Sequence, residues 1–157
     1  MDSLNVAGAN FGIRRALAPD VPAIVALLTD DFLGETRETT DLSAYETAFA
    51  RIDADPSHYL AVIVDATGAV VGTMQLTLIP GVSRGGATRL QIEAVRLAPS
   101  TRGRGLGTAM FAWAHEYGRG QGAALVQLTT DKKRADAHRF YERLGYAPSH
   151  EGFKLEL

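Results

Sequence analysis

Cysteine is absent from the 157 residues, which excludes disulfides, a thiol nucleophile and any thiolate metal site. Its absence accords with a reducing compartment. No apolar run approaches the roughly 18 residues that a membrane span requires. The opening Met1-Asp2-Ser3-Leu4-Asn5-Val6 lacks a basic region backed by an apolar core, so no signal peptide is expected. Strong charge of one sign is missing as well, and a net charge of −2 speaks against nucleic acid as a partner. What is present is the balance of a globular protein, 46% hydrophobic and 22% charged, at a length close to one domain. The expectation is one cytoplasmic domain over residues 11–157, preceded by a flexible tail at residues 1–10.

The small net charge hides an asymmetry. Residues 1–55 hold ten acids and four bases, a net of −6, whereas residues 56–157 carry +4. Such a division suits two ligands of opposite sign. It is equally compatible with a solvated surface that binds neither.

Periodicity marks alternating strands and helices. Phe11–Ala16 reads as a strand. Pro19 and Asp20 open a helix with Val21, Ile24, Leu28 and Phe32 on one face. Leu42–Ala54 predicts a second helix, ended by Pro56. Tyr59–Asp65 and Ala69–Ile79 are β-rich runs joined by Ala66-Thr67-Gly68, and Pro80–Ala87 is a glycine-rich loop. Thr88–Leu97 is a strand stopped by Pro99. Leu106, Met110, Trp113, Ala114 and Tyr117 mark a third helix, Ala124–Thr130 a strand, and Ala137, Phe140, Tyr141 and Leu144 a fourth helix. Short strands are expected at Tyr146–Ala147 and Phe153–Leu157. The order predicts an α/β (α+β) fold: a mixed, mostly antiparallel sheet of about six to seven strands flanked by about four helices.

The most specific chemistry lies between Val95 and Met110. There the chain passes from strand through Pro99-Ser100-Thr101-Arg102-Gly103-Arg104-Gly105-Leu106-Gly107-Thr108 into a helix. The first N–H groups of a helix lack internal partners and, with the positive end of the dipole, attract anions. Glycines at 103, 105 and 107 remove β-carbons from that approach, and Arg102 and Arg104 add charged donors. The spacing is neither a Walker A loop nor a dinucleotide fingerprint. A plain turn with solvated arginines is the competing reading.

A second motif sharpens the first. Arg102-Gly103-Arg104-Gly105-Leu106-Gly107 resembles the (Gln/Arg)-x-x-Gly-x-(Gly/Ala) pattern of the GNAT superfamily of acetyl-CoA-dependent N-acetyltransferases. Phe140-Tyr141-Glu142-Arg143-Leu144-Gly145-Tyr146 resembles the signature of that family's following helix. The resemblance covers most of the chain from Tyr59 onward. It implies that acetyl-CoA is the co-substrate, with its pyrophosphate on the backbones of Arg102, Gly103, Arg104, Gly105, Gly107 and Thr108. It implies that Val95 and Leu97 pair their backbones with the pantetheine arm. Many members carry Asn seven residues before the motif tyrosine, reaching the pantetheine; here Arg134 stands there. The departure puts that contact in doubt, and the expectation for Arg134 is a phosphate instead. No metal is expected.

Amine acetylation needs a proton acceptor, because an alkylamine is mostly protonated at neutral pH. It also needs a donor for the thioester oxygen and a proton for the leaving thiolate. Glu93 is the candidate base, since strict alternation would put it on one side of the strand with Val95 and Leu97. The alternative is that Glu93 caps a strand edge or pairs with Arg96 or Arg89. Tyr141 resembles the family's general acid, three residues after His138 and four before Gly145; its alternative is core packing with Phe140 and Leu144.

The remaining conspicuous residues take blander readings. His138 and His150 are read as surface groups, and His58 and His115 carry no metal-ligand spacing. Lys132, Lys133 and Arg134 form a basic run. Asp30, Asp31, Glu35 and Glu38 lie where this family roofs its acceptor site, with Arg37 among them. They read as a solvated loop or as recognition of a cationic amine. The stretch Thr129–Tyr141 is similar to that of aminoalkylphosphonate acetyltransferases, which favours a small polar amine over a protein. The expected function is therefore acetyl transfer from acetyl-CoA to a primary amine, by direct attack in a ternary complex. Acetylation of a protein N-terminus or lysine is the second reading, and a non-catalytic acetyl-CoA sensor the third. The partners expected are a small-molecule amine, neither nucleic acid nor membrane, with a homodimer left open.

Overall fold

The computed structural model describes residues 1–30, 39 and 41–157. Contacts divide the chain into two compact units, Met1–Gln127 and Leu128–Leu157. The first contains β1 (Asp2–Val6), β2 (Ala9–Arg15), α1 (Val21–Thr29), α2 (Ser43–Ala54), β3 (His58–Val64) and β4 (Val70–Ile79). It continues with α3 (Ser83–Gly86), β5 (Arg89–Leu97) and α4 (Leu106–Gly120). β6 (Leu125–Leu128) runs to the division, and α5 (Ala135–Arg143) belongs to the second unit. The strands form one six-stranded sheet in the order β1 to β6. Every pairing from β1 to β5 is antiparallel, so the expected mixed α/β class holds. No helix among the described residues is long and apolar enough to cross a membrane.

Two expectations are corrected. Residues 2–6 are a strand, not a flexible tail. Ala7 (φ 48°) and Gly8 (φ 79°) form a two-residue turn whose positive φ values suit the twist of a hairpin. Leu4 stands opposite Phe11, and both are buried. At the other end of the chain, Tyr146–Ala147 and Phe153–Leu157 form no strands. Pro148 has no N–H for a ladder, and Phe153 and Leu155 remain exposed instead of packing.

The sheet has two different faces. Ala16, Ile24, Leu60, Val62 and Val64 form a cluster completed by Leu28, Phe49 and Ile52, which seats α1 and α2 on one face. On the other, Tyr59 packs against Trp113 and Tyr117 of α4, with ring centroids 5.6 and 5.2 Å away. A β-carbon on Gly118 would meet Leu90 at 3.0 Å, so glycine is what lets α4 approach β5. Phe111, Met110, Leu106 and Ala114 fill this side of the core.

The entry to α1 is held by an ion pair. Asp20 accepts from Arg14 Nη1 at 2.6 Å and Nη2 at 3.0 Å, and from the Leu17 N–H at 2.8 Å. The Arg14 hydrogen bond holds the Asp20 carboxyl below the usual carboxylate range, despite its burial. Phe32, expected on the same helical face as Leu28, lies outside the described residues, as do Asp31, Glu35, Arg37 and Glu38.

Candidate active site

β5 leads through one turn of 3₁₀ helix, Pro99–Thr101, into α4. The buried Thr101 hydroxyl donates to the Ala98 carbonyl at 2.8 Å and fixes the exit from the strand. Gly103 (φ 74°) and Gly105 (φ 86°) then take left-handed conformations that a side chain would strain. Gly105 is the N-cap residue of α4, where no side chain caps the helix and no acid occupies the first turn. The early N–H groups of α4, from Leu106 through Thr108, are therefore left for another acceptor. Arg102, Gly103, Arg104, Gly105 and Thr108 are exposed, while Leu106 is buried and anchors the turn. Early N–H groups without a side-chain cap, a first turn without an acid and two arginines fit a polyphosphate.

One detail of β5 departs from strict alternation. Ala94 has φ 51°, and the register slips between Thr73 and Gln75: Glu93 faces Gln75, but Arg96 faces Thr73. β5 thus carries one extra residue opposite Met74, a β-bulge. Residues opposite each other in a ladder share a face, so Glu93 lies on the same face as Arg96, the α1/α2 face. Leu97 stands opposite Gly72, on the α4 face. The expected phase of Glu93 with Leu97 is overturned by the bulge. The carbonyls of Val95 and Leu97 accept from Arg96 Nη1 (2.8 Å) and Arg102 Nε (3.2 Å).

Three rows cross the α1/α2 face: His58–Thr77–Gln91, Leu60–Gln75–Glu93 and Val62–Thr73–Arg96. Glu93 is exposed there, and among the described residues no salt bridge joins it to Arg89 or Arg96. The pairing offered as its structural alternative is not formed. His58 Nδ1 lies 2.9 Å from Thr77 Oγ1 and 3.5 Å from Gln75 Nε2. Its Nε2 is 3.8 Å from the Asp55 carboxylate. His58 and Asp55 also line a cleft of about 290 Å³ with Ala48, Arg51 and Ile52. Gln91 accepts from Gln127 Nε2 at 2.7 Å. Sequence reading missed this polar row, although its signal is visible: polar 75, 77, 91 and 93 alternate with apolar 74, 76, 90 and 92.

The other two candidates lie in the second unit, so β5, the turn and α4 gather every expected site residue except Arg134 and Tyr141. Arg134 is the N-cap residue of α5, and Tyr141 follows two turns later, about 10.5 Å along the axis. Tyr141 meets Phe140 and Tyr146 edge-on, at 5.5 and 6.0 Å between centroids. Burial and the neighbouring Tyr141 push the Tyr146 phenol up. His138 Nε2 lies 3.1 Å from the Asp131 carbonyl, and His150 Nδ1 lies 2.8 Å from Ser149 Oγ. Both histidines have local partners. Burial lowers the His115 pKa beside Phe111.

Comparison with known proteins agrees with this geometry. The profile of the "Acetyltransferase (GNAT) family" matches residues 21–146. The aminoalkylphosphonate N-acetyltransferase of Salmonella typhimurium is 34% identical over 146 residues, covering 92% of this chain and 90% of the relative. The glucosamine 6-phosphate N-acetyltransferase of Trypanosoma brucei brucei is 32% identical over 132 residues, 81% of this chain and 86% of that one. A crystal structure from Bacillus halodurans C-125, described as a transcriptional regulator, superposes with a TM-score of 0.89 at 39% identity. It covers 94% of this chain and 99% of its own. An uncapped, glycine-flanked helix start fed by a bulged strand, and a family match over most of the sequence, make this chain a member of the GNAT family of N-acetyltransferases.

Proposed function

We infer that the protein transfers the acetyl group of acetyl-CoA to the primary amine of a small polar molecule. The observation that supports this most is the uncapped start of α4, reached directly from the strand that carries Glu93. Arg102, Gly103, Arg104, Gly105, Gly107 and Thr108 would hold the pyrophosphate, with Arg134 on a phosphate and Val95 and Leu97 along the pantetheine. Bound acetyl-CoA supplies an acyl group activated as a thioester. Glu93, exposed and without a salt-bridge partner among the described residues, takes the proton that the ammonium must lose. Tyr141 is the proposed acid for the leaving sulfur, since a phenol stays protonated at neutral pH. With no cysteine in the chain, the amine attacks the thioester directly. The two curated relatives, whose names specify a phosphonate and a phosphate ester of an amine, support a small acceptor.

A panel of amines, each incubated with acetyl-CoA while released thiol is measured, tests this reading. Thiol release with a small amine, and none with a peptide, is the expected result. The similarity to a protein described as a transcriptional regulator keeps a sensor as the second reading. A sensor binds acetyl-CoA and releases no thiol with any amine.

A further inference from the structure

The first half of β5 is divided by face. Leu90 and Ile92 are buried on the α4 side, at 0% and 2% exposure. Arg89, Gln91 and Glu93 project on the other, where Gln91 faces Thr77 and Glu93 faces Gln75. Polar residues on a sheet face are ordinarily a solvated surface. Here Arg89, Gln91 and Gln127 are half-buried and bonded to one another.

The order of those bonds sets what Arg89 can do. The Gln127 amide nitrogen donates to Gln91 Oε1 at 2.7 Å, which turns the Gln127 carbonyl oxygen toward Arg89. Arg89 Nη1 approaches that oxygen at 3.5 Å, a long contact with a neutral group. Among the described residues no carboxylate forms a salt bridge with Arg89. A guanidinium has five N–H donors in a planar fork suited to a bidentate oxyanion. The Gln127 contact engages one of them with a neutral group, and among the described residues no carboxylate balances the charge. The same contact draws the guanidinium back to the level of Gln91. One two-residue step along the strand, about 7 Å, separates that level from Glu93.

A cation and an anion therefore stand on one wall at neighbouring levels, without pairing to each other. We propose that Arg89, held by the Gln127–Gln91 amide pair, is the anchor for an oxyanion of the acceptor. The acceptor is then a dipolar molecule whose ammonium meets Glu93 and whose phosphonate, phosphate or carboxylate meets Arg89, a few atoms apart. The proposal rests on the acceptor reading above. It adds the substrate class and the residue that selects it.

The test uses the full chain and three acceptors of matched length: 2-aminoethylphosphonate, β-alanine and propylamine. Thiol release gives kcat/KM for each. The expected result is a preference of at least tenfold for an anionic acceptor over propylamine, and its collapse by at least tenfold in Arg89→Gln. Gln127→Glu is a second variant that leaves the arginine in place and neutralises it with a carboxylate. It is expected to reduce the preference in the same way, even if Arg89→Gln fails to fold. The phosphonate and the carboxylate arms separate a phosphorus oxyanion from a carboxylate. An enzyme that acetylates propylamine as well as the anionic acceptors overturns the proposal while leaving the acetyltransferase reading intact. So does a preference that survives both variants. A chain that releases no thiol with any acceptor defeats the parent reading itself.

Discussion

At the scale of single residues, two side chains carry the proposed proton transfers. Glu93→Gln keeps the shape and removes the basic carboxylate. Turnover should fall by about 100-fold or more. The defect should shrink at high pH, where more of the amine is already neutral. Wild-type turnover at every pH would leave Glu93 without a catalytic part. Tyr141→Phe removes one hydroxyl and retains the ring that meets Phe140 and Tyr146. As the acid, that hydroxyl should contribute about 10- to 100-fold to turnover, with acetyl-CoA affinity little changed. If it serves only a structural hydrogen bond, stability should fall by about 1 kcal/mol and the rate should hold. Kinetics and melting of this one variant separate the two. The glycines were legible at this scale because positive φ has few other sources. For Gln75 and Gln91 alternation shows the face but not the bonds, and Gln127 gives no signal, since an amide acquires meaning only from its partner across the sheet.

At the scale of elements, the entry to α1 ties stability to pH. Asp20 joins Arg14 to the Leu17 N–H, and its carboxyl titrates lower in the folded chain than in the unfolded one. A lowered folded pKa contributes stability above the unfolded value, near 3.9, that is lost as pH falls through the folded value. Asp20→Asn should therefore cost about 1–3 kcal/mol at neutral pH. Melting curves of the two proteins should converge as the pH falls through the lowered folded value, where the wild-type carboxyl protonates. A gap of constant size would show that charge is not what holds this turn. α1, α2, α4 and α5 were readable because their apolar positions recur at helical spacing, as Ile24 and Leu28 do in α1. The short α3 was not, because Ser83–Gly86 has no such spacing and the stretch was expected to be a loop. The β1–β2 hairpin was not, because its turn places an alanine at positive φ, where sequence offers no warning. Phe153, Leu155 and Leu157 misled in the opposite direction. They alternate like a strand, yet alternation specifies a face and does not supply a neighbour.

At the scale of the whole chain, the uneven charge gives a prediction about the coenzyme. Residues 56–157 carry the positive excess and include Arg102, Arg104 and Arg134, the proposed phosphate partners. Exposed pairs of this kind are screened within about 8 Å at physiological ionic strength. Acetyl-CoA affinity, measured by calorimetry, should weaken as salt is raised, and Arg104→Gln should flatten that dependence. An affinity indifferent to salt would assign the binding to backbone N–H groups alone. The family itself was legible because two motifs occur in the right order, each on the element it requires. The facing of Glu93 was not, because the extra residue in β5 is visible only in its pairing with β4.

That extra residue makes β5 a strand of changed parity. Counting in steps of two from Arg89 holds only as far as Glu93; past the bulge Leu97 belongs to the other side. A regular strand would tie residues 93 and 97 to one environment, so that a change suited to one ligand would disturb the other. With parity reversed between them, the proposed acceptor wall and the support of the proposed phosphate turn lie on different faces of the sheet. The first can vary while the second stays fixed. One strand can thus meet two separate demands, one on each face.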